Sequence, residues 1–485
     1  MSKLITTTMM MCLAAGAAAQ PTDPQQLLGE MLSNADKAEA AWVALRATDD
    51  ADLRPMLDAL SRSEDASRRR FAVEALAEMF KVQAADVIAE RAFGDSDRLT
   101  RLEAAARLLW LEGVGDQHVD QALASKDEEV RSMAADTMVR RGRGFAAVDE
   151  LRRLAESSNV ATACSARLNM LALGHQEFLA PVEQVVADEK TSEAVLRRIL
   201  AQIGEDKIAA AGELALRLAE SDRPNDLRLA AWRAVSKVVP AAATLMAEAI
   251  GRSELTAFRV ELLAMLAEAD QSRSGLESVA KGEGAVATLA TFELARAAGG
   301  EQAAAAAVAA VALEHPVAVD YVLDRAEIDA EKDAQAASCY MDAMLKIIAQ
   351  ANAQTSRMAA DHLRAARAST LLADMGSEPA IAALRELLQQ RYTPVVRAVG
   401  AGLVRSKNRG ISELVRPLLD SPHEELSTDA ALVLGGFGDA AARARLEQYA
   451  SDKYPPPLAA MSAWYLLKIS GRTASAAQQL ATQVK

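Results

Sequence analysis

The run Asp127-Glu128-Glu129-Val130-Arg131-Ser132-Met133-Ala134-Ala135-Asp136-Thr137-Met138, closed by Gly142, decides the fold. Written as a template, it is an apolar residue, an arginine, two free positions, two small residues, two free positions and a large apolar residue. At 3.6 residues per turn the first, fifth, sixth and ninth positions share one helix face. Val130, Ala134, Ala135 and Met138 are therefore expected in a core, with the opposite face left free. Paired alanines at the centre of that face let a neighbouring helix approach closely.

The template recurs in both directions. Good matches begin at Thr100, Leu227, Phe258, Val396, Leu426 and Leu458, and fair ones at Arg68, Val286 and Leu363. Weaker matches at Val160, Val195 and Val317 fill the gaps. The better matches lie at near-multiples of about 31 residues, apart from one longer interval before Leu363. Each interval also holds another helical run before the template helix, among them Leu53 to Leu60, Phe145 to Glu156, Ile208 to Glu220, Ile381 to Gln390 and Ala441 to Ala450. Asp65, Asp97, Asp127, Ser192, Thr393 and Ser421 stand where an N-cap is wanted, and Pro224, Pro394 and Pro422 where a first turn tolerates proline. Gly142, Gly174, Gly204, Gly376 and Gly438 are expected to close template helices. A helix pair of this size cannot bury its apolar face alone, so stacked neighbours must cover it.

The unit resembles the HEAT repeat, in the short HEAT-like form of phycobilisome lyases and many bacterial scaffold proteins. The resemblance rests on Val130-Arg131, Ala134-Ala135, Met138, Gly142 and their recurrences, and covers roughly residues 53 to 470. It implies an all-α, right-handed α-solenoid (an alpha-alpha superhelix) of about thirteen helix pairs. It also implies that the acidic and arginine positions form a ladder between repeats. Asp65 with Arg69, Asp97 with Arg101, and Asp127 with Arg131 are each spaced for an i,i+4 ion pair. The same repeat serves many unrelated tasks, so the resemblance speaks to fold rather than function.

Composition agrees with an elongated helical chain. The 485 residues exceed what one core usually supports, and apolar residues make up 51% with aromatics at only 4%. No sustained strand-like alternation occurs. The expected organisation is a signal peptide over residues 1–19, one capping helix within 20–52, repeats over 53–328, a lengthened pair with an insertion over 329–376, further repeats over 377–471 and a polar tail over 472–485. Lys3, the apolar stretch Leu4 to Leu13 and the small residues Ala17-Ala18-Ala19 predict export with cleavage before Gln20. Cys12 follows Met9-Met10-Met11 rather than a small residue, which argues against lipidation. No run reaches the roughly 18 apolar residues of a membrane span.

The net charge of −13 becomes one unit more negative once Lys3 is removed. An acidic chain without a basic block argues against nucleic acid or an anionic membrane surface as partner. Beyond residue 19 the cysteines are Cys164 and Cys339, too far apart in a stack of repeats for a disulfide, and export without disulfides fits a bacterial periplasm or cell envelope. Cys164 occupies a small-residue template position and is expected to be a buried, inert thiol. His118, His175, His315, His362 and His423 occur singly in different repeats, and no metal, cofactor or nucleophile motif accompanies them. The expected function is a non-enzymatic scaffold that holds a protein or an envelope polymer on a concave face. The alternative, borrowed from the resemblance, is a chromophore-lyase-like enzyme or accessory subunit. Template positions three, seven and eleven are expected to face away from the pair interface. Three of them carry large aromatics, Trp110, Phe292 and Trp464, which makes these the candidate partner contacts.

Overall fold

A computed structural model describes residues 23–251, 255–333, 336–353, 359–389 and 394–483. The N-terminal segment read as a signal peptide, and the cap position Thr393, lie outside these residues. Every described element is a helix or a turn, and no described helix is long and apolar enough to cross a membrane. The chain is an all-α solenoid of stacked helix pairs. All thirteen template starts, the weak ones included, fall in thirteen separate helices, from Ala66–Phe80 to Pro456–Ile469. Each is the second helix of a pair, and the first helices are shorter in all but one pair, Glu378–Gln389 with Pro394–Leu403, and are often entered through a 3-10 turn such as Gly144–Ala147.

The core matches the template in several repeats but not in all: the template starts Val160 and Leu363 are 49% and 50% exposed. Val130, Ala134, Ala135 and Met138 are buried on Glu128–Arg140, as are Ala430 and Ala431 on Glu424–Phe437. Helices so lined approach closely enough that some positions exclude a methyl group. A Cβ on Gly402 would collide with the Ala366 carbonyl oxygen. Gly204 has the same role: it sits inside Glu193–Glu205 against Ala234 Cα, so it is an approach point and not the helix stop expected from sequence. Gly438 is the left-handed C-cap the sequence predicts, at φ 79°.

The caps are partly as expected. Asp65 accepts from the amides of Ser67 and Arg68, Asp97 from Thr100, Asp127 from Glu129 and Ser192 from Val195. Pro224 is itself an N-cap, and the helix at Glu424 is capped by His423, one residue after Pro422 and two after Ser421. The i,i+4 ion pairs are not how the arginines bond. Arg69 reaches forward to the next pair, where Nε and Nη2 both donate to Asp95 at 2.7 Å, while Nη1 donates to the carbonyls of Ser63 and Glu64. Arg131 likewise donates from Nε to Glu150 at 2.7 Å and from Nη1 to the Ser125 and Lys126 carbonyls. The capping carboxylates are already turned towards amides of their own helices. The planar guanidinium therefore ties the preceding turn to the following repeat.

The chain divides into two compact units, residues 1–114 with 403–485, and 115–402. In the first, the two ends of the described chain share one stack. Residues 24–46 form two helices, Pro24–Ser33 and Ala35–Arg46, and not one, because Asn34 Oδ1 caps the second by accepting from Asp36 and Lys37. Both pack on Pro456–Ile469. The polar tail expected after residue 472 is instead the helix Thr473–Ala481, which buries Ala476, Ala477 and Leu480 and packs on Arg54–Leu60.

In the second unit the long interval before Leu363 runs through several elements. It comprises the 17-residue helix Pro316–Lys332, a 3-10 turn Ala336–Tyr340, the helix Met341–Ala353 and the 17-residue helix Ala359–Met375.

Candidate functional site

The three aromatics chosen from the sequence have different environments. Trp110, at the end of its second helix, is 62% exposed. Phe292 and Trp464 are both 0% exposed, so neither offers a surface to a partner. Both occupy template position seven, which is covered in these two repeats although Arg233 at the same position is exposed. Phe292 packs edge-on against Tyr321 and Tyr340, with ring centroids 6.2 Å away in each case. Trp464 donates from Nε1 to Asp50 at the junction of the chain ends. Phe145, 77% exposed in the turn Gly144–Ala147, is a surface aromatic that a helical template does not single out.

Around Phe292 lies a buried charge network that the sequence reading missed. Glu293 Oε1 accepts from Arg325 Nε at 2.8 Å and from the Tyr321 hydroxyl at 2.5 Å. Glu293 Oε2 accepts from Arg296 Nε at 2.8 Å, and Arg296 Nη1 donates to both oxygens of Asp329. Tyr340 donates to Asp329 at 2.6 Å, and Arg325 also reaches Glu268 and the Ala264 carbonyl. Burial alone would lower the Arg325 pKa, but Tyr321 and Glu293 hold the guanidinium above its ordinary value. Burial, then the charge of Glu293, pushes the Tyr321 hydroxyl well above its usual range. These groups satisfy one another, and the arrangement clamps consecutive second helices together. One signal was available: Tyr321 stands where the template wants a small residue, and Arg325 where it wants a large apolar one.

A second polar cluster is incomplete. Asp136 on Glu128–Arg140 pairs with Arg140, and its Oδ1 accepts from Gln202 Nε2 at 3.4 Å. The same Gln202 nitrogen donates to the Ser165 carbonyl at 3.2 Å. Asn169, wholly buried on Val160–Ala172, faces the Asp136 carboxylate, yet neither amide atom closes a hydrogen bond. Asp206, just past Glu193–Glu205, has both carboxylate oxygens buried and without a hydrogen-bond partner. Burial raises the Asp136 pKa despite the nearby Arg140. Burial, then the charge of Asp136, pushes Asp206 up to about 6.

The thiols are guarded by their surroundings. Cys164 is buried, and burial raises its pKa. Burial and then Asp329 raise that of Cys339. Neither environment favours a thiolate nucleophile. Among the described residues no group of three or more histidine, cysteine, aspartate or glutamate side chains is placed to hold a metal ion.

No family model and no curated protein matches this sequence. Among solved structures, the chain is similar to UNC-45 from Drosophila melanogaster, at 15% identity and TM-score 0.29, covering 95% of this chain and 77% of that one. It is also similar to importin beta, at 11% identity and TM-score 0.34, covering 93% and 70%. With TM-scores this low, the fold assignment rests on the helix pairs themselves.

Proposed function

We propose that this chain is an exported scaffold of the bacterial periplasm or cell envelope that binds a protein or envelope polymer without catalysing a reaction. The observation that carries this reading is the exposure of Trp110. The other three tryptophans, Trp42, Trp232 and Trp464, are buried, while Trp110 is 62% exposed at the end of a repeat helix. A large aromatic left in water is costly and is the kind of side chain that anchors a partner. Phe145 adds a surface aromatic in the second unit. The non-catalytic reading draws support from the Glu293 network, whose hydrogen-bonding capacity is spent on neighbouring helices. Binding involves the exposed end of the helix Arg98–Trp110, the second of its pair, and the partner is a protein or polymer.

The test is capture from envelope extracts with the mature protein, in parallel with Trp110→Ala and Phe145→Ala. Loss of the same captured component in either folded variant supports the reading. Equal retention by both removes these side chains from it. N-terminal sequencing of the exported form is expected to begin at Gln20, and an intact Met1 would overturn the compartment assignment.

A further inference from the structure

The cluster of Asp136, Asn169, Gln202 and Asp206 joins three consecutive second helices, Glu128–Arg140, Val160–Ala172 and Glu193–Glu205. It leaves four buried polar atoms unpaired: both oxygens of Asp206, and Oδ1 and Nδ2 of Asn169. Orphaned buried groups are costly, and a buried carboxylate without a donor most of all. The Asp206 oxygens are enclosed, so what can offset them is a water molecule, a small ion or a proton.

Charge selects among these. Asp136 is paired with Arg140, and Arg198 adds a further positive charge within reach of Asp136. On the other side, Asp206 feels Asp136 and Glu205 as like charges and Arg140 as an opposite one, with the Gln202 amide as a favourable neighbour. The following second helix brings the Lys237 stem over Gly204, and Lys207 is the next residue in the chain. Among the described residues no group of three or more histidine, cysteine or carboxylate side chains is placed to hold a metal ion, whereas one proton removes the charge of Asp206, whose oxygens have no hydrogen-bond partner. Water alone would leave that charge in place.

We infer that the Asp136–Asn169–Gln202–Asp206 cluster is a proton-operated latch that tightens three consecutive repeats on mild acidification. One proton from solvent adds to the Asp206 carboxylate, with no other bond made or broken. The neutral acid then has an O–H to donate to an oxygen of the cluster, and the junction closes. When the proton leaves, an uncompensated charge remains between the helices and the junction opens more readily.

The test is amide hydrogen exchange on the whole mature protein, corrected for the intrinsic pH dependence of exchange. A carboxyl group held at about 6 when closed and at 3.8 when open makes the closed junction about tenfold more favoured at about pH 5 than at about pH 7.5. The expected result is a gain of about tenfold in protection across residues 128–206 between about pH 7.5 and about pH 5, setting in as pH falls through about 6. Asp206→Asn, permanently neutral, is expected to show nearly equal protection at both pH values. Wild-type protection that is flat or falls on acidification would overturn the latch. So would a gain that sets in only in the ordinary carboxylate range, or an undiminished pH response in Asp206→Asn. The wild-type onset decides the matter even if the variant folds poorly.

Discussion

The indole of Trp464 donates to the carboxylate of Asp50 at 3.3 Å, across 414 residues of sequence. Lys468 Nζ bonds the same oxygen at 3.1 Å, and Thr473 donates to Asp52 beside it. Asp50 thus serves both ends of the chain at once. Asp50→Ala strands a buried indole N–H and removes the partner of a half-buried ammonium. The expected cost to the first unit is about 1–3 kcal/mol, read as a lower denaturation midpoint. A midpoint unchanged from wild type would show that the apolar contacts alone join the ends.

The Arg69–Asp95 pair predicts a larger effect. Both side chains are nearly inaccessible, and Asp95→Ala leaves the guanidinium without its bidentate partner. The expected loss is about 3–5 kcal/mol, seen first as local protease sensitivity around residues 66–97 because repeat stability is a nearest-neighbour property. The sign of the pH dependence follows from the direction of the shift. Burial would raise the Asp95 pKa, but Arg69 outweighs it and holds the carboxyl below its ordinary value. Its contribution is therefore fully present above the unfolded value of 3.8 and is lost as pH falls through the lower folded value. Acid unfolding of Asp95→Asn is expected to lack this step.

Ala135 tests the register of the repeats. It is fully buried between helices, so Ala135→Asp adds both volume and an unpaired charge. The expected cost is at least about 3 kcal/mol. Unchanged thermal melting and unchanged protease resistance would refute the assignment of that face to the core.

Phe292 and Trp110 should separate cleanly. Phe292→Ala empties a site between two tyrosine rings and is expected to cost about 3–5 kcal/mol. Trp110→Ala acts on an exposed side chain and is expected to stay within about 0.5 kcal/mol of wild type. Equal melting of the two variants would contradict the burial difference.

The period of the fold was legible because packing repeats it. Every second helix needs small residues where its neighbours come closest, so even the faint matches at Val160, Val195 and Val317 fall in helices. Side-chain direction within the unit was less legible. Position seven lies off the helix-pair face, and what covers it differs between repeats: Phe292 meets Tyr321 and Tyr340 and Trp464 meets Asp50, while Arg233 is exposed. The arginine partners were misassigned because a spacing of four residues is visible in a sequence, while the reach from Arg69 to Asp95 depends on how pairs stack. Contacts between distant residues left no trace at all. Nothing periodic links Asp50 to Trp464, and the Asp136–Asp206 cluster appears only when three helices are aligned.

The shared stack of the first unit sets an order of events during synthesis. A repeat in the second unit gains its neighbour soon after it is made, so that unit can grow pair by pair. Pro24–Ser33 and Ala35–Arg46 are made long before the helix they pack on, Pro456–Ile469. Their apolar faces wait while the intervening repeats are synthesised, and loop closure over that distance slows the joining step. A chain short of Pro456–Ile469 therefore carries a distinct hazard: it presents an unsatisfied surface on Pro24–Ser33 and Ala35–Arg46 to chaperones, proteases and other nascent copies.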